Sequence, residues 1–294
     1  MQLDSRRSRT PEDATEIASI LHATILNELF RITRWVSREA VFHGGTSLRF
    51  LRDSPRSSED LDFMVSEDAA RSLREVIGKI HEAVRSKMNI IYPDSQVSVK
   101  GPKGDSVEAW TFTWTHPNIV GSVKVKTEFL LTRPENLEAY ASTHLMATTK
   151  GVLSISGTLP APTLLSAWSD KIVAIGMRPA FKWRDAFDIE FIANGMRMDR
   201  NVGWADKIAA MTSTAAIYDN TPAEVVEGLS TRLDEGYFVD VEGFEENMER
   251  FLGAEVFADY RRVGRFAEIL EGAHREVSQT VDVWTEDYST GYAR

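Results

Sequence analysis

Two carboxylates, two residues apart, are the first side chains whose spacing suggests chemistry. Asp60 and Asp62 flank Leu61 in a stretch, DLDFMV, that alternates as a β-strand does, so both should point to the same face of a sheet. Carboxylates held this close repel each other, which raises the pKa of one unless a cation neutralises them. Mg²⁺ takes oxygen ligands and pairs with substrate phosphates, so the spacing predicts a magnesium site, with Mn²⁺ as a substitute ion. A chance Asp-x-Asp in a surface loop is the alternative.

Glu128 is the candidate for a third carboxylate. Residues 123–131 alternate between apolar and charged side chains, which places Glu128 on the polar face of a predicted strand. If this strand neighbours the strand of the aspartate pair, three carboxylates together can hold two metal ions for a phosphoryl or nucleotidyl transfer. An ion pair with Lys126, two residues earlier, is the alternative. Other carboxylates compete for the third position: Asp94, Asp105 and Glu108.

A pair of glycines precedes the aspartates. The sequence Gly44-Gly45-Thr46-Ser47 stands before a predicted helix, and glycine lets a backbone come close to a phosphate while a helix N-terminus offers N–H donors. An ordinary joint between a loop and a helix is the alternative. The pattern G-x-x-x-x-G-K-[ST] occurs nowhere in the sequence, which argues against a P-loop kinase or GTPase.

Composition excludes several classes of protein. The chain has 294 residues with a net charge of −10 and no cysteine, which excludes a disulfide scaffold, a thiolate zinc site and a cysteine nucleophile. Its apolar runs are shorter than the roughly 18 residues that span a bilayer, so the sequence predicts a soluble, cytoplasmic protein that does not enter membranes. The acidic balance argues against wholesale coating of nucleic acid but leaves room for a local basic face.

The elements that must position these residues change in kind along the chain. In the first half, predicted helices at residues 11–32, 48–51 and 69–88 occur among predicted strands at 60–65, 89–99, 107–115 and 123–131, and a short apolar run at 40–42 leads into the glycines. This order predicts an α/β (α+β) fold with a mixed sheet and helices on one face. From Thr163 the chain is predicted to be helical, with helices at residues 165–175, 185–194, 204–213, 222–233, 244–252 and 255–277. We therefore predict an α/β domain over residues 1–158 and a helical domain over residues 159–294.

Two stretches resemble a known family. The segment FHGGTSLRFLRDSPRSSEDLDFMV closely resembles the DNA polymerase beta-like nucleotidyltransferases and, within them, the AbiEii/AbiGii abortive-infection toxins, which include the MenT toxins. The later block DKIVAIGMRPAFKWRDAFDIEFI strengthens the resemblance, because these toxins carry a lysine on one helix and Arg-Asp-x-x-Asp on the next. The likeness covers residues 40–65 and 165–195.

The resemblance implies a role for each matching residue. It assigns nucleotide phosphates to Gly44, Gly45, Thr46 and, near the triphosphate, Ser58. It assigns the metal to Asp60, Asp62 and Glu128. From the helical domain it implies that Lys171 contacts the triphosphate or stabilises the leaving pyrophosphate, and that Asp185, with Asp188 as a weaker match, completes the active-site cleft.

The resemblance also implies an activity and partners. It implies the toxin of a type IV, abortive-infection-like toxin–antitoxin system that uses Mg²⁺ to transfer a nucleoside monophosphate from an NTP to the 3′ end of tRNA. Such a transfer would block aminoacylation and growth, and a cognate antitoxin would hold it in check. The alternatives are a small-molecule or protein hydroxyl as acceptor, or a catalytically inactive module that binds a partner. Phosphorylation of Ser58 would place negative charge beside the triphosphate, so Ser58 is also a candidate regulatory site.

Overall fold

The computed structural model describes residues 7–104, 107–140, 142–149, 154–197 and 202–288. Two compact units make up the chain. The first unit comprises Met1–Asp53, Ser58–Glu138 and Ser142–Ala161, and the second comprises Ser54–Ser57, Ala139–Ala141 and Pro162–Arg294. The chain thus enters the second unit briefly at Ser54–Ser57, between the predicted glycine turn and the predicted aspartate strand.

A mixed sheet forms the first unit, which confirms the predicted fold class. Its strands are β1 (Arg7–Ser8), β2 (Ala40–His43), β3 (Asp60–Ser66), β4 (Gln96–Lys103), β5 (Val107–His116) and β6 (Ile119–Thr132). The strand order is β2-β3-β6-β5-β4, with β1 also paired to β6. The pairs β3–β6 and β1–β6 are parallel and the others are antiparallel. A separate pair joins β7 (Ser142–Met146) to β8 (Thr158–Pro162), and the sequence pattern predicts neither of these two strands.

Helices cover one face of this sheet. These are α1 (Pro11–Thr33) and α3 (Glu67–Ile91), and the unit also contains α2 (Gly44–Arg52) and the short α4 (Pro134–Ala139). Helices α1 and α3 pack on each other and on the sheet, where the alternation of β5 buries Trp110, Phe112 and Trp114. Helix α1 is capped at its N-terminus, because the Thr10 hydroxyl accepts from the Asp13 backbone N–H and the Asp13 carboxylate accepts from the Thr10 N–H.

Two predicted boundaries in the first unit are wrong. Helix α2 begins at Gly44, so the glycines form the first turn of the helix instead of preceding it. Residues 89–91 belong to α3 and β4 begins at Gln96. The apolar run favours a strand by composition, but Val84, Met88 and Ile91 recur at helical spacing and continue the face that α3 turns to the core.

The second unit is helical, as predicted. Its α-helices are α5 (Leu164–Met177), α6 (Trp183–Met196), α7 (Trp204–Ile217), α8 (Pro222–Asp234), α9 (Val241–Met248), α10 (Ala254–Val263) and α11 (Arg265–Val283), with a 3₁₀ turn at Tyr237–Val239 and a π-helical turn at Trp284–Tyr288. The predicted single helix at 255–277 is wrong, because Gly264 adopts a φ of +73° and ends α10. In the described part of the chain, every helix is too short or too polar to cross a bilayer.

Candidate active site

The aspartate pair lies where the strand pattern predicts it. Asp60 and Asp62 share one face of β3 and are half-buried, whereas Leu61 and Phe63 are buried in the core on the other face. The pair therefore presents two carboxylates side by side on a strand that is fixed by its neighbours on both sides.

Strand β6 brings Glu128 next to the pair. In the parallel register of β3 and β6, Asp62 lies opposite Glu128 and Asp60 lies opposite Lys126. The Glu128 carboxylate accepts a hydrogen bond from the Lys126 ammonium, and the two form an ion pair. The bond to Glu128 and the charges of Glu128, Asp60 and Asp62 raise the pKa of Lys126. Glu128 thus lies beside the aspartate pair, as predicted, but its carboxylate is paired with Lys126, which is the alternative that the sequence left open.

Two of the three predicted carboxylates are arranged as ligands for a divalent cation would be. Asp60 and Asp62 supply adjacent carboxylate oxygens, which are the ligands that Mg²⁺ takes. Within the described ranges, no group of three or more His, Asp or Glu side chains converges as a metal site would, because the Glu128 carboxylate is turned to Lys126. The aspartate pair therefore supplies two of the ligands that the ion would need. The metal roles of Asp60, Asp62 and Glu128 stay predictions.

The competing carboxylates lie elsewhere. Glu108 is buried on the core face of β5 and accepts a hydrogen bond from the Arg74 guanidinium, with an Nε–Oε2 distance of 3.1 Å. Asp94 lies in the turn before β4 with a φ of +68°. Asp105 falls outside the described residues. Glu108 therefore points away from the aspartate pair, and of the described candidates Glu128 alone is paired with β3.

Gly44 explains why the glycine turn precedes the aspartates. Its φ is +77°, and a Cβ at this position would overlap a carboxylate oxygen of Asp62. The same turn of α2 is tied to β3 by a second contact, because the Thr46 hydroxyl donates to the backbone carbonyl of Asp60 at 2.5 Å. Gly45 is buried beside them, and Ser58 is half-buried two residues before β3. The start of α2 and the aspartate pair thus form one compact structure in the first unit.

In the second unit, the predicted lysine and aspartates come together between α5 and α6. The Lys171 ammonium lies 3.0 Å from an Asp185 oxygen and 2.8 Å from an Asp188 oxygen. All three side chains are buried. The Arg178 guanidinium completes the surroundings of Asp185 with a further ion pair.

Arg56 is a member of this cluster that the sequence reasoning missed. It is 1% exposed, and its guanidinium binds both oxygens of Asp188, with an Nε–Oδ1 distance of 2.5 Å. Such bidentate pairing fixes both side chains. The available signal is indirect: two buried aspartates at i and i+3 on an apolar helix need more than one cation, and the buried Arg56 and the partly exposed Arg178 supply them.

The cluster keeps its members charged. Burial raises the pKa of Asp185, but the cations of Lys171 and Arg178 outweigh burial and lower it to about 2. Burial likewise opposes ionisation of Asp188, and Arg56 and Lys171 lower its pKa below the usual value. Burial lowers the pKa of Lys171, but the two aspartates more than compensate and leave it raised. A carboxyl group with a pKa near 2 is a weak base at neutral pH, so Asp185 suits holding Lys171 better than accepting a proton.

Comparisons with known proteins agree with this architecture. The family described as "Nucleotidyl transferase AbiEii toxin, Type IV TA system" matches residues 34–262. MenT4, a nucleotidyltransferase toxin from Mycobacterium tuberculosis, is similar in fold, with a TM-score of 0.51 and 16% identity over 94% of each chain. A putative nucleotidyltransferase from H. pylori is similar with a TM-score of 0.50 and 16% identity, over 91% of this chain and 97% of that one. No curated protein matches the sequence. Because the family match covers well over half of the chain, this protein belongs to the AbiEii nucleotidyltransferase toxins of type IV toxin–antitoxin systems.

Proposed function

We propose that the protein transfers a nucleoside monophosphate from an NTP to the hydroxyl at the 3′ end of tRNA. The observation that carries the proposal is the aspartate pair on β3 with the glycine start of α2 packed against Asp62. In this reaction the acceptor oxygen forms a bond to the α-phosphorus of the NTP. The bond between the α-phosphorus and its bridging oxygen breaks, pyrophosphate leaves, and the hydroxyl proton is released.

The first unit would hold the reacting phosphates. Asp60 and Asp62 would bind Mg²⁺, or Mn²⁺, which supplies positive charge to the phosphates when bound. The backbone N–H groups at the start of α2, at Gly44, Gly45 and Thr46, would receive phosphate oxygens, since a helix N-terminus favours anions.

Lys171 would stabilise the negative charge of the triphosphate or of the leaving pyrophosphate. Its ammonium is held by Asp185 at 3.0 Å and by Asp188 at 2.8 Å, so its position and charge are fixed before substrate binds. A cation prepared in this way acts on developing charge without reorganisation. The two aspartates therefore contribute by positioning Lys171.

The biological setting follows from the family. A nucleotide added to the 3′ end of tRNA blocks aminoacylation, so we propose that the protein arrests translation and growth in the cytoplasm, where tRNA is charged. A cognate antitoxin would restrain it, as the type IV system of the family implies.

An acceptor screen tests the proposal. Purified protein, Mg²⁺ and each α-labelled NTP are incubated with total tRNA, with total protein or with a small-molecule extract, beside an Asp62→Asn variant. We expect label on tRNA with the unaltered protein and none with the variant. Label on protein or on small molecules instead would show that tRNA is not the acceptor. No labelled product at all would favour a catalytically inactive module that only binds a partner.

Ser58 would regulate the same site. It lies two residues before β3, so a phosphoryl group there adds close to two negative charges next to the proposed phosphate site. We expect phosphorylated protein to bind NTP more weakly than its Ser58→Ala variant. Equal NTP affinity of the phosphorylated and unmodified proteins would contradict this role.

A further inference from the structure

Lysines continue the row that the aspartate pair begins. Strand pairing places Asp60 opposite Lys126, Lys126 opposite Thr111, and Thr111 opposite Lys100. Paired residues on neighbouring strands point to the same side of a sheet. One row across β3, β6, β5 and β4 thus leads from a predicted metal ligand to an exposed lysine at the edge of the sheet.

Two more lysines lie on the same face. Lys124 of β6 pairs with Thr113, and Lys103 of β4 pairs with Ala109, which in turn pairs with Glu128. Lys100, Lys103 and Lys124 are all exposed, and we call these three residues the lysine face. This surface is opposite to the one that α1 and α3 cover.

The positive charge of the lysine face is not neutralised by the strands that carry it. In the described residues of β4, β5 and β6 the carboxylates are Glu108, which is buried with Arg74, and Glu128, which is bound by Lys126. None of the three lysines forms an ion pair with a residue that the structure describes. The whole chain has a net charge of −10, so this surface is a local exception to its charge.

We propose that the lysine face binds the phosphate backbone of the RNA acceptor. This inference rests on the proposed function, which requires RNA to reach the aspartate pair. Across β4 to β6 the lysines span two strand spacings, roughly 10 Å, and the hydroxyls of Thr111 and Thr113 lie between them, where they can donate to phosphate oxygens. Lysine is a compact point charge, and contacts to phosphate carry no sequence information, so the lysine face orients RNA without selecting its sequence.

A triple variant tests this surface. Lys100→Gln, Lys103→Gln and Lys124→Gln together remove the lysine face, and a matched control, Arg71→Gln, Lys79→Gln and Arg85→Gln, removes three charges from exposed positions of α3. Affinity for deacylated total tRNA is measured by fluorescence anisotropy between about 50 and 200 mM salt. We expect the first variant to bind about tenfold more weakly at low salt, with a salt slope smaller by about three. The control should resemble the unaltered protein.

Two further readouts separate this inference from the proposed function. Binding of a non-hydrolysable NTP should be unchanged in the lysine-face variant, because the lysines lie outside the proposed phosphate site. If the unaltered protein labels tRNA and both triple variants bind tRNA equally well, the lysine face is not the docking surface, although the transferase stands. If only the lysine-face variant loses tRNA affinity, but neither it nor the unaltered protein labels tRNA, the lysine face binds RNA and tRNA is not the acceptor. Weaker binding of poly-glutamate by the lysine-face variant, with its tRNA affinity unchanged, would show that this surface takes an acidic protein, against the inference.

Discussion

Among single residues, Gly44 sets how closely α2 approaches the aspartate pair. A side chain there would need a left-handed backbone at a φ of +77° and would overlap the Asp62 carboxylate. We expect Gly44→Ala to destabilise the fold by about 1–3 kcal/mol and to abolish most transferase activity, as measured by urea unfolding and nucleotide labelling. Gly78→Ala is the matched control, because Gly78 lies in α3 and an alanine methyl group there would have nothing within 4 Å. It should be neutral or stabilising, and equal behaviour of the two variants would contradict the role of Gly44.

Asp185 should make the stability of the protein depend on acid pH. Its pKa in the folded state is about 2 against an ordinary 3.8, so the ionised form stabilises the fold, by about 2 kcal/mol. This contribution is complete above about pH 4 and is lost as the pH falls through about 2. The free energy of unfolding in urea, measured from neutral pH downward, should fall over that interval more steeply for the unaltered protein than for Asp185→Asn. Identical slopes would show that Asp185 is not held by Lys171 and Arg178.

Lys126 should weaken cation binding at the aspartate pair. Its ammonium is bound to Glu128 and feels the charges of Asp60 and Asp62, so it competes with an added divalent ion. Lys126→Gln is expected to bind Mn²⁺ roughly three- to tenfold more tightly, on the order of 1 kcal/mol, in a titration followed by calorimetry. Lys124→Gln, on the same face of β6, is the control for surface charge. Weaker Mn²⁺ binding by Lys126→Gln would contradict this competition.

At the scale of elements, the four-residue segment Ser54–Ser57 makes several hydrogen bonds to the helical unit. Arg56 is bound by Asp188, and both the backbone N–H and the hydroxyl of Ser57 donate to the Phe251 carbonyl, at 2.6 and 3.0 Å. This segment connects α2 to β3 and belongs to the second unit. Its contacts therefore tie this segment to α6 and to the turn that follows α9, within the second unit.

Removing the anchor should be costly. Arg56→Gln leaves the buried Asp188 carboxylate without its bidentate partner, so we expect a loss of about 3–5 kcal/mol in the free energy of unfolding. Arg85→Gln removes an exposed i,i+3 pair with Glu82 and should cost less than about 1 kcal/mol. Urea unfolding of both variants makes the comparison, and losses of equal size would show that the Arg56–Asp188 pair is not a structural anchor.

Local sequence patterns predict most helices and strands, but they fail where the same residue type can either end a helix or lie inside one. The threonine caps at Thr10 and Thr163 and the strand alternation of β3 and β6 act within a few residues, so the sequence displays them directly. Gly264 ends α10, whereas Gly272 lies inside α11 against the Glu190 side chain. Their neighbours in the sequence do not distinguish these two roles, and so the pattern predicts one continuous helix where the structure has two.

The candidate site is predictable to the extent that its chemistry is local. Asp60 and Asp62 are two residues apart, and their shared face follows from the period of a strand. The pairing of Arg56 with Asp188 spans 132 positions and leaves no periodic trace. The position of Glu128 relative to the aspartate pair is likewise not visible in the sequence, because only the register of β3 and β6 shows that Glu128 lies beside Asp62.

For the whole molecule, the net charge is negative, but one surface of the sheet is locally positive. A chain of net charge −10 should be repelled by RNA at long range, so its association with tRNA should depend on a local basic surface and weaken steeply with salt. Lys100, Lys103 and Lys124 provide such a surface on the sheet face that also carries Asp60. Under the proposed function, the protein is then expected to bind RNA briefly and to release the product readily.

The most direct test of nucleotidyl transfer asks which phosphate of the NTP reaches the RNA and where it attaches. The protein and an Asp60→Asn variant are incubated with Mg²⁺ and tRNA, using NTP labelled at either the α- or the γ-phosphate. A parallel set uses tRNA whose 3′-terminal diol has been oxidised with periodate. We predict that only α-label enters tRNA, only with an intact 3′ end, and only with the unaltered protein. Transfer of γ-label, or equal labelling of oxidised tRNA or by Asp60→Asn, would contradict a nucleotidyl transfer to the 3′ hydroxyl at the aspartate pair.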